Sequence, residues 1–567
     1  MSHRYSTVGI LAVLAVTGTT ELSGQTKTLD RQYDPIVFDA IEASTALIGL
    51  PIGELTAYKY VAAQNAFAAI AFQIDEVDAG GKFFVETDGL IDANDELVFM
   101  PGDAGDRASN SNWLNDTGAQ QNQRIEIEVT DRLAPAKKGW VYLFRNVSNP
   151  PVNVPGYIKH ANAPAANGAD TVKGVSYTTS HLANGIPNFQ TIRQSNGQFS
   201  PNLIDRLKLR VKGRASIVIA FNYEANEDNA VNFVALRYGG GKVRGLRELA
   251  FGLSINTPLG PFVVDTVSFV TQYFPYSSTL VAKDAKLSAG TADLAGVQLI
   301  RQSLDFNANV AGQSMRFYNS FNSAGFAIDG VSDSPVPTLV DSQVNWFLAT
   351  GQPGGVVVLL TVPTIGDARS LYYRDNTAPG TADGTTDTGD GSSYGDFGVQ
   401  ITDDKIQGEF SLDLNLTMYY LDPTTALLGN PVAAGEQFKA WQDSTVRALA
   451  TAQTYMPSSV ESPGDGAPDV FTLHEAYPNP FSATRERARI VFNLGRELGE
   501  PQLTIYNLMG QEVAAITPAN GLRAGSGRQE LSWNGRDANG HLLPAGIYFY
   551  RLRAGTQVAT KKLILVR

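Results

Sequence analysis

The sequence predicts an all-β chain: a multidomain antiparallel β-sandwich payload followed by a small C-terminal sandwich. Three observations lead there. Apolar and polar residues alternate with period two, as in RIEIEVTD, where Ile125, Ile127 and Val129 alternate with Glu126, Glu128 and Thr130. The 54 Gly and 28 Pro, with Asn and Asp at the breaks between apolar runs, supply the turns that many short strands need. Helical periods are scarce, which argues against alternating β-α units and a parallel sheet.

Taken in order, residues 1–24 have a short polar start with Arg4, an apolar run from Val8 to Val16 and small or polar residues before Gln25. That is the layout of a cleavable signal peptide. The run is about half of what spans a bilayer, and no later run is long enough, so no permanent transmembrane helix is expected. A first β-rich domain is expected over residues 25–245. Its strands are AFAAIAFQIDEV, GKFFVET, ELVFM, RIEIEVTD and GWVYLFRNV, then LKLRVKGRASIVIAFNYE and NAVNFVALRY. The glutamate face of RIEIEVTD is expected to be wet.

A second β-rich domain is expected over residues 246–455, beyond the glycines of YGGGKVRG, with GPFVVDTVSFVTQYF and GVVVLLTVPTI as strands. One helix is expected in GEQFKAWQDSTVRALA, where Phe438, Trp441, Val446 and Leu449 form an apolar stripe. The Gly/Asp/Thr-rich run from Arg374 to Gly398 reads as a long solvated loop. Residues 456–470, rich in Pro, Ser, Gly and acids, read as an interdomain linker.

Residues 471–567 alternate again. ARIVFNL places Ile490, Phe492 and Leu494 on one face, PQLTIYNLMGQEVAAI reads as strand, turn and strand, and a strand with Trp533 precedes a final hairpin near Ala554. Such closely spaced short strands form the pattern of an immunoglobulin-like sandwich. Ahead of them stands YPNPF, Tyr477 to Phe481, whose two prolines suit a stiff, extended entry to the domain.

In YPNPF, IYNLMGQEV, WNGRDANGHLLPAGIYFYRL and the closing KKLILVR, this segment resembles the type A C-terminal sorting domain of the type IX secretion system of Bacteroidota and relatives. Pro478, Asn479 and Pro480 match the opening motif, Gly546 and Tyr548 the G-x-Y strand, and Lys561 and Lys562 the terminal basic pair. The resemblance implies entry to the periplasm by the general export machinery, passage through the type IX translocon and removal of the domain by a sortase. The cargo is then attached to anionic lipopolysaccharide on the outer-membrane surface or released outside the cell.

The payload's chemistry is less specific. With 44 Lys+Arg against 56 Asp+Glu, the net charge of −12 repels polyanions, so no nucleic-acid partner is expected. The absence of cysteine excludes thiol catalysis, Fe–S clusters and Cys-based zinc sites. His160 and His181 are expected on the surface. Glu86, Asp88, Asp92 and Asp95 are spaced like oxygen donors of a calcium loop, but Phe84 stands at the first ligand position, so a plain Asp/Asn turn between strands is the first reading of these residues and a looser calcium site the second. Asp375 to Asp396 is a weaker calcium candidate.

Two classes of function remain open for the payload. One is a non-catalytic surface or binding protein, with glycans among the candidate ligands. The other is a secreted carbohydrate-active enzyme, a glycosidase or lyase, that draws an acid pair from Asp205, Glu224, Glu227 and Asp228, with Trp113, Trp140, Tyr223 and Trp346 as sugar platforms or core.

Overall fold

The computed structural model describes residues 25–85, 87–161, 168–216, 220–258, 260–287, 297–340, 344–361, 368–378, 387–406, 410–455, 472–483, 487–494, 501–516, 527–554 and 557–566. The expected leader and linker lie outside these residues. The chain divides into two compact units, Met1–Ser458 and Ser459–Arg567. Both are built almost wholly of antiparallel strands.

The centre of the first unit is a pair of facing sheets. One has five strands in the order Ala220–Asn226, Ile204–Ser216, Val297–Phe306, Ser393–Ile406, Ala368–Asn376. The other has nine, with Val231–Gly240, Gly245–Thr257, Gly260–Tyr273, Ser277–Leu287, Phe410–Leu421, Gly354–Thr361 and Val344–Gly351 in sequence across most of its width. Alternation aims Leu304, Phe397 and Val399 from the first sheet and Phe347, Val356, Val358, Leu416 and Tyr420 from the second into one shared core.

The outer face of the nine-stranded sheet is also apolar, with Trp346, Leu348, Val357, Leu359 and Tyr419 buried. Helix Pro431–Asp443 covers it through Ala434 and Phe438. Gly435 lets the helix rest on Trp346, because a Cβ there would come 2.2 Å from the indole. The helix begins where Asn430 accepts the Ala433 N–H and Pro431 fills the first turn.

This helix is shorter than its apolar stripe predicts. It stops at Asp443, and Arg447–Gln453 is instead a strand pairing with Arg124–Thr130, which turns Ala448 and Ala450 inward and leaves Leu449 exposed. A vacant sheet edge, with its row of unpaired backbone groups, overrides a weak helical period.

That same pairing corrects the expected division at residue 245, since the last payload strand returns to the first hundred and fifty residues. A cut at 245 would also sever the ladder in which Gly240 pairs with Gly245. The glycines of YGGGKVRG are a hairpin turn rather than a boundary. GKFFVET is not a strand either: Phe84 has φ of 62°, and the Phe83 and Phe84 rings lie against Arg244 and Arg237.

In RIEIEVTD, Ile125, Ile127 and Val129 are buried as the alternation requires, but the opposite face is wet only in part, at Glu128 and Thr130. Glu126 is buried there, accepting from Arg107 at 3.0 Å and from the Tyr142 hydroxyl at 3.2 Å. An arginine partner and a hydroxyl replace its water.

The second unit packs a three-stranded sheet (Thr472–Leu473, Ala488–Leu494, Gly527–Trp533) and a five-stranded sheet (Phe481–Ser482, Gln557–Val566, Gly546–Ala554, Gln502–Tyr506, Glu512–Ile516) around one core. Phe481, Ile490, Phe492, Ile505, Trp533, Tyr550 and Leu563 fill it.

Candidate functional sites

In the second unit the opening motif is part of the fold. Tyr477 pairs with Arg489, both Tyr477–Pro478 and Asn479–Pro480 are cis, and Phe481 is fully buried. Asn479 explains the residue type between the prolines. Its amide donates to the Lys562 carbonyl at 3.1 Å and its carbonyl accepts the Ile564 N–H at 2.8 Å, so one side chain stands in for a neighbouring strand beside Gln557–Val566. The segment therefore docks on the last strand instead of projecting from the domain as an extended hinge.

Tyr548 donates to the Pro544 carbonyl at 2.8 Å with its ring edge against Trp533. Tyr550 donates to the His474 carbonyl and accepts the Ala476 N–H, tying the start of the domain to its penultimate strand. Lys561 pairs with Glu475, and Lys562 is exposed on the same strand. At Gly546 an added Cβ would meet no atom within 4 Å, so packing does not explain a glycine there.

In the first unit a cavity of about 220 Å³ lies between the two large sheets. Leu207, Leu209 and Val211 face it from Ile204–Ser216, Phe251, Val267 and Phe269 from the adjoining hairpin, and Leu280 and Met418 from the neighbouring strands. Leu207, Leu209, Val211, Phe269, Leu280 and Met418 keep partial exposure although each lies inside a paired strand, because the space before them is unfilled. Close-packed interiors hold few voids larger than a water.

One end of the cavity is polar. His181, expected on the surface, is buried at the end of Tyr177–His181, where the alternation Tyr177, Thr179, His181 points inward. Its Nδ1 lies 2.7 Å from Asp170 Oδ1 and its Nε2 3.0 Å from the Tyr273 hydroxyl. Arg247 donates to both oxygens of Asp170 at 3.0–3.2 Å and to the Gly168 carbonyl at 3.0 Å, and Tyr238 donates to the same carboxylate. Despite burial, His181 and Arg247 hold Asp170 well below the usual carboxylate range.

Burial, with the Arg247 charge adding to it, lowers His181, and burial raises the Tyr273 phenol, so both are neutral. An imidazole that donates at Nδ1 and accepts at Nε2 suits this arrangement. Gly185, at φ of 88°, forms part of the wall: a Cβ there would come 2.5 Å from Leu249 Cδ1.

The acids expected of an enzyme lie elsewhere. Glu227 is buried and accepts from Leu209 N and Arg210 Nη1, each at 3.0 Å, and from the Thr388 hydroxyl. Exposed Asp228 pairs with Arg206 at 2.7 Å, and Glu224 stands opposite Lys212 in the ladder. Asp205 meets Asp305 and Asp390, the three offering oxygens within 4.8 Å of one another. Lys208 Nζ lies 2.6 Å from Asp305 Oδ2 and from Asp387 Oδ1, so one of the three, Asp305, already has a cation beside it.

The run from Arg374 to Gly398 is correspondingly not a solvated loop in its described part. Asp375 accepts the N–H groups of Asp329, Gly330 and Gly395, and Thr388, Ser393 and Asp396 are buried.

Asp88 and Asp92 are exposed, while Asp95 is buried with its oxygens accepting Val77 N at 3.0 Å and Asp92 N at 2.7 Å. Among the described residues these three do not converge as ligands; Glu86 lies outside them. Trp140 and Trp346 are core, Trp113 packs edge-on to Phe144, and Tyr223 lines the cavity. His160 is exposed against the Tyr238 ring.

The polar end was missed from sequence because Asp170, His181, Arg247 and Tyr273 come from separate segments, Asp170 lying just ahead of the strand Thr171–Lys173, and share no local spacing. The one available signal was the inward phase of Tyr177, Thr179 and His181.

Residues 475–566 match the family described as Secretion system C-terminal sorting domain. No curated protein matches the chain. Among solved structures, one reported as PorZ, an essential bacterial surface component of the type-IX secretion system of Porphyromonas gingivalis, aligns over 70% of this chain and 69% of its own. It does so at 12% identity and a TM-score of 0.13, a likeness that carries no argument. The sorting match, by contrast, covers the unit whose core and docked YPNPF segment are described above, and it implies export to the cell surface or beyond. Residues 475–566 are a type IX secretion C-terminal sorting domain.

Proposed function

We propose that this protein is a secreted or cell-surface cargo of the type IX system whose payload binds a ligand without transforming it. The sorting domain carries the first half of that reading. The second is supported by the acids that the sequence singled out: among the described residues Glu227 and Asp228 are each held by an arginine and Glu224 stands opposite Lys212, so none of these is left free to share acid and base roles with another. After translocation a sortase removes the domain, and the payload is retained on anionic lipopolysaccharide or set free.

Deleting residues 471–567 in the producing bacterium tests the export half. Truncated payload should accumulate in the periplasm; its continued appearance outside the cell overturns the reading. Incubating the full chain with a polysaccharide panel tests the other half. No release of reducing or unsaturated sugar is expected, and release that disappears in Glu227→Gln would instead establish the carbohydrate-active enzyme.

A further inference from the structure

The cavity between the payload sheets, about 220 Å³ against the 150 Å³ that suffices to bind benzene in an engineered apolar cavity, is large enough for a molecule bigger than a single ring. Its walls are mostly aliphatic and aromatic side chains from both sheets; Thr179, His181, Gln190, Arg247 and Tyr273 make one end polar, and Gln302, beside Leu209 in the ladder, and Lys208 add polar groups along the five-stranded wall. That combination, a mostly apolar enclosure with a few placed polar groups, is the usual make-up of a small-molecule site.

The polar end is balanced in charge. Asp170 is paired by Arg247, accepts from Tyr238 and has His181 Nδ1 2.7 Å away, while Arg247 Nε and Nη2 are taken up by Asp170 and the Gly168 carbonyl. An anionic or cationic ligand end would enter with nothing to neutralise it, at a large desolvation cost. With Nε2 of a neutral His181 as acceptor, the Tyr273 hydroxyl donates to it across 3.0 Å, and the oxygen, which Thr271 also bonds, keeps a lone pair that can accept another hydrogen bond. Thr179 and Gln190, cross-strand neighbours, are the next polar side chains on that wall.

We propose that this cavity binds an uncharged, elongated apolar molecule whose single hydrogen-bonding end lies against Tyr273 beside Thr179 and Gln190. The proposal rests on the reading of the payload as a binding protein and names the class of its ligand. Polysaccharides do not fit it, since their hydroxyls would face the Leu, Val and Phe walls unpaired.

The test is titration of the full chain with the neutral fluorophore N-phenyl-1-naphthylamine. A saturable, one-to-one fluorescence rise is expected, reversed by 1-decanol and reversed at least about tenfold less well by decanoate or decylammonium. Leu280→Trp should fill the void and abolish the signal with the melting temperature held or raised; Val211→Phe is the second filling variant should the first fail to fold. Tyr273→Phe should weaken 1-decanol about fivefold and leave 1-chlorodecane unchanged.

No saturable rise with folded protein, or a rise that survives a folded filling variant, overturns the proposal. Stronger displacement by either charged ligand overturns the assignment of an uncharged one. If the fluorophore fails while the polysaccharide panel stays silent, this ligand class falls and the binding reading stands. Sugar release would remove that reading whatever the fluorophore does.

Discussion

The protein contains two β-sandwiches that solve the same packing problem to different ends. In the sorting domain the facing sheets meet on Phe481, Phe492, Trp533, Tyr548, Tyr550 and Leu563, and large rings fill the space between layers. In the payload, shared packing around Phe347 and Phe397 gives way to a cavity where Leu207, Leu209 and Leu280 face space. A domain recognised from outside needs a rigid surface and therefore a filled core. On the binding proposal above, the payload leaves part of its core for a ligand to complete.

The largest test of this contrast is Trp533→Ala in the sorting domain. Loss of a fully buried indole, together with its hydrogen bond to the Arg536 carbonyl, should cost about 3–5 kcal/mol by denaturant unfolding of that unit. A cost below about 1 kcal/mol would break the claim that this core is filled.

Next comes a matched pair. Leu563→Ala in the filled core should cost about 2–5 kcal/mol, whereas Leu280→Ala on the cavity wall should cost well under that, because little packing is lost where none existed. Equal costs would mean that the two interiors do not differ.

Asn479→Ala removes two hydrogen bonds from the last strand and should destabilise the sorting domain by about 1–2 kcal/mol, read as a lower melting temperature.

A pH series addresses the polar end of the cavity. His181 is lowered in the fold by burial and by Arg247, so the unfolded state binds its proton first. Its contribution is complete above the unfolded value of about 6.5 and is lost as pH falls below that value toward the folded one. His181→Gln should flatten the pH dependence of payload stability in that window; an unchanged slope would show that His181 is not held neutral. Smallest of all, Lys561→Ala breaks an exposed pair with Glu475 and should change stability by no more than about 0.5 kcal/mol.

Much of this molecule was legible before folding. Period-two alternation located Arg124–Thr130, Val231–Gly240, Gly260–Tyr273 and Ala488–Leu494, because which face of a strand is apolar depends only on neighbours two residues apart. YPNPF and the segments after it marked the sorting domain for the same reason, since their signal is contiguous in the chain.

Alternation could not say what lay opposite. Glu126 read as solvated and is buried by Arg107 and Tyr142; Val446 and Leu449 read as helical, and the Arg447–Gln453 strand was drafted to a distant edge.

The sequence by itself therefore determined the β class and the address. Only the tertiary structure decided that Asp170, His181, Arg247 and Tyr273 meet, and that Glu227 and Asp305 are met by cations. It also decided that two long sheets stand apart far enough to leave room inside. Those outcomes are set by pairings and by the spacing between layers, in which residues far apart in sequence become neighbours, so no local period records them.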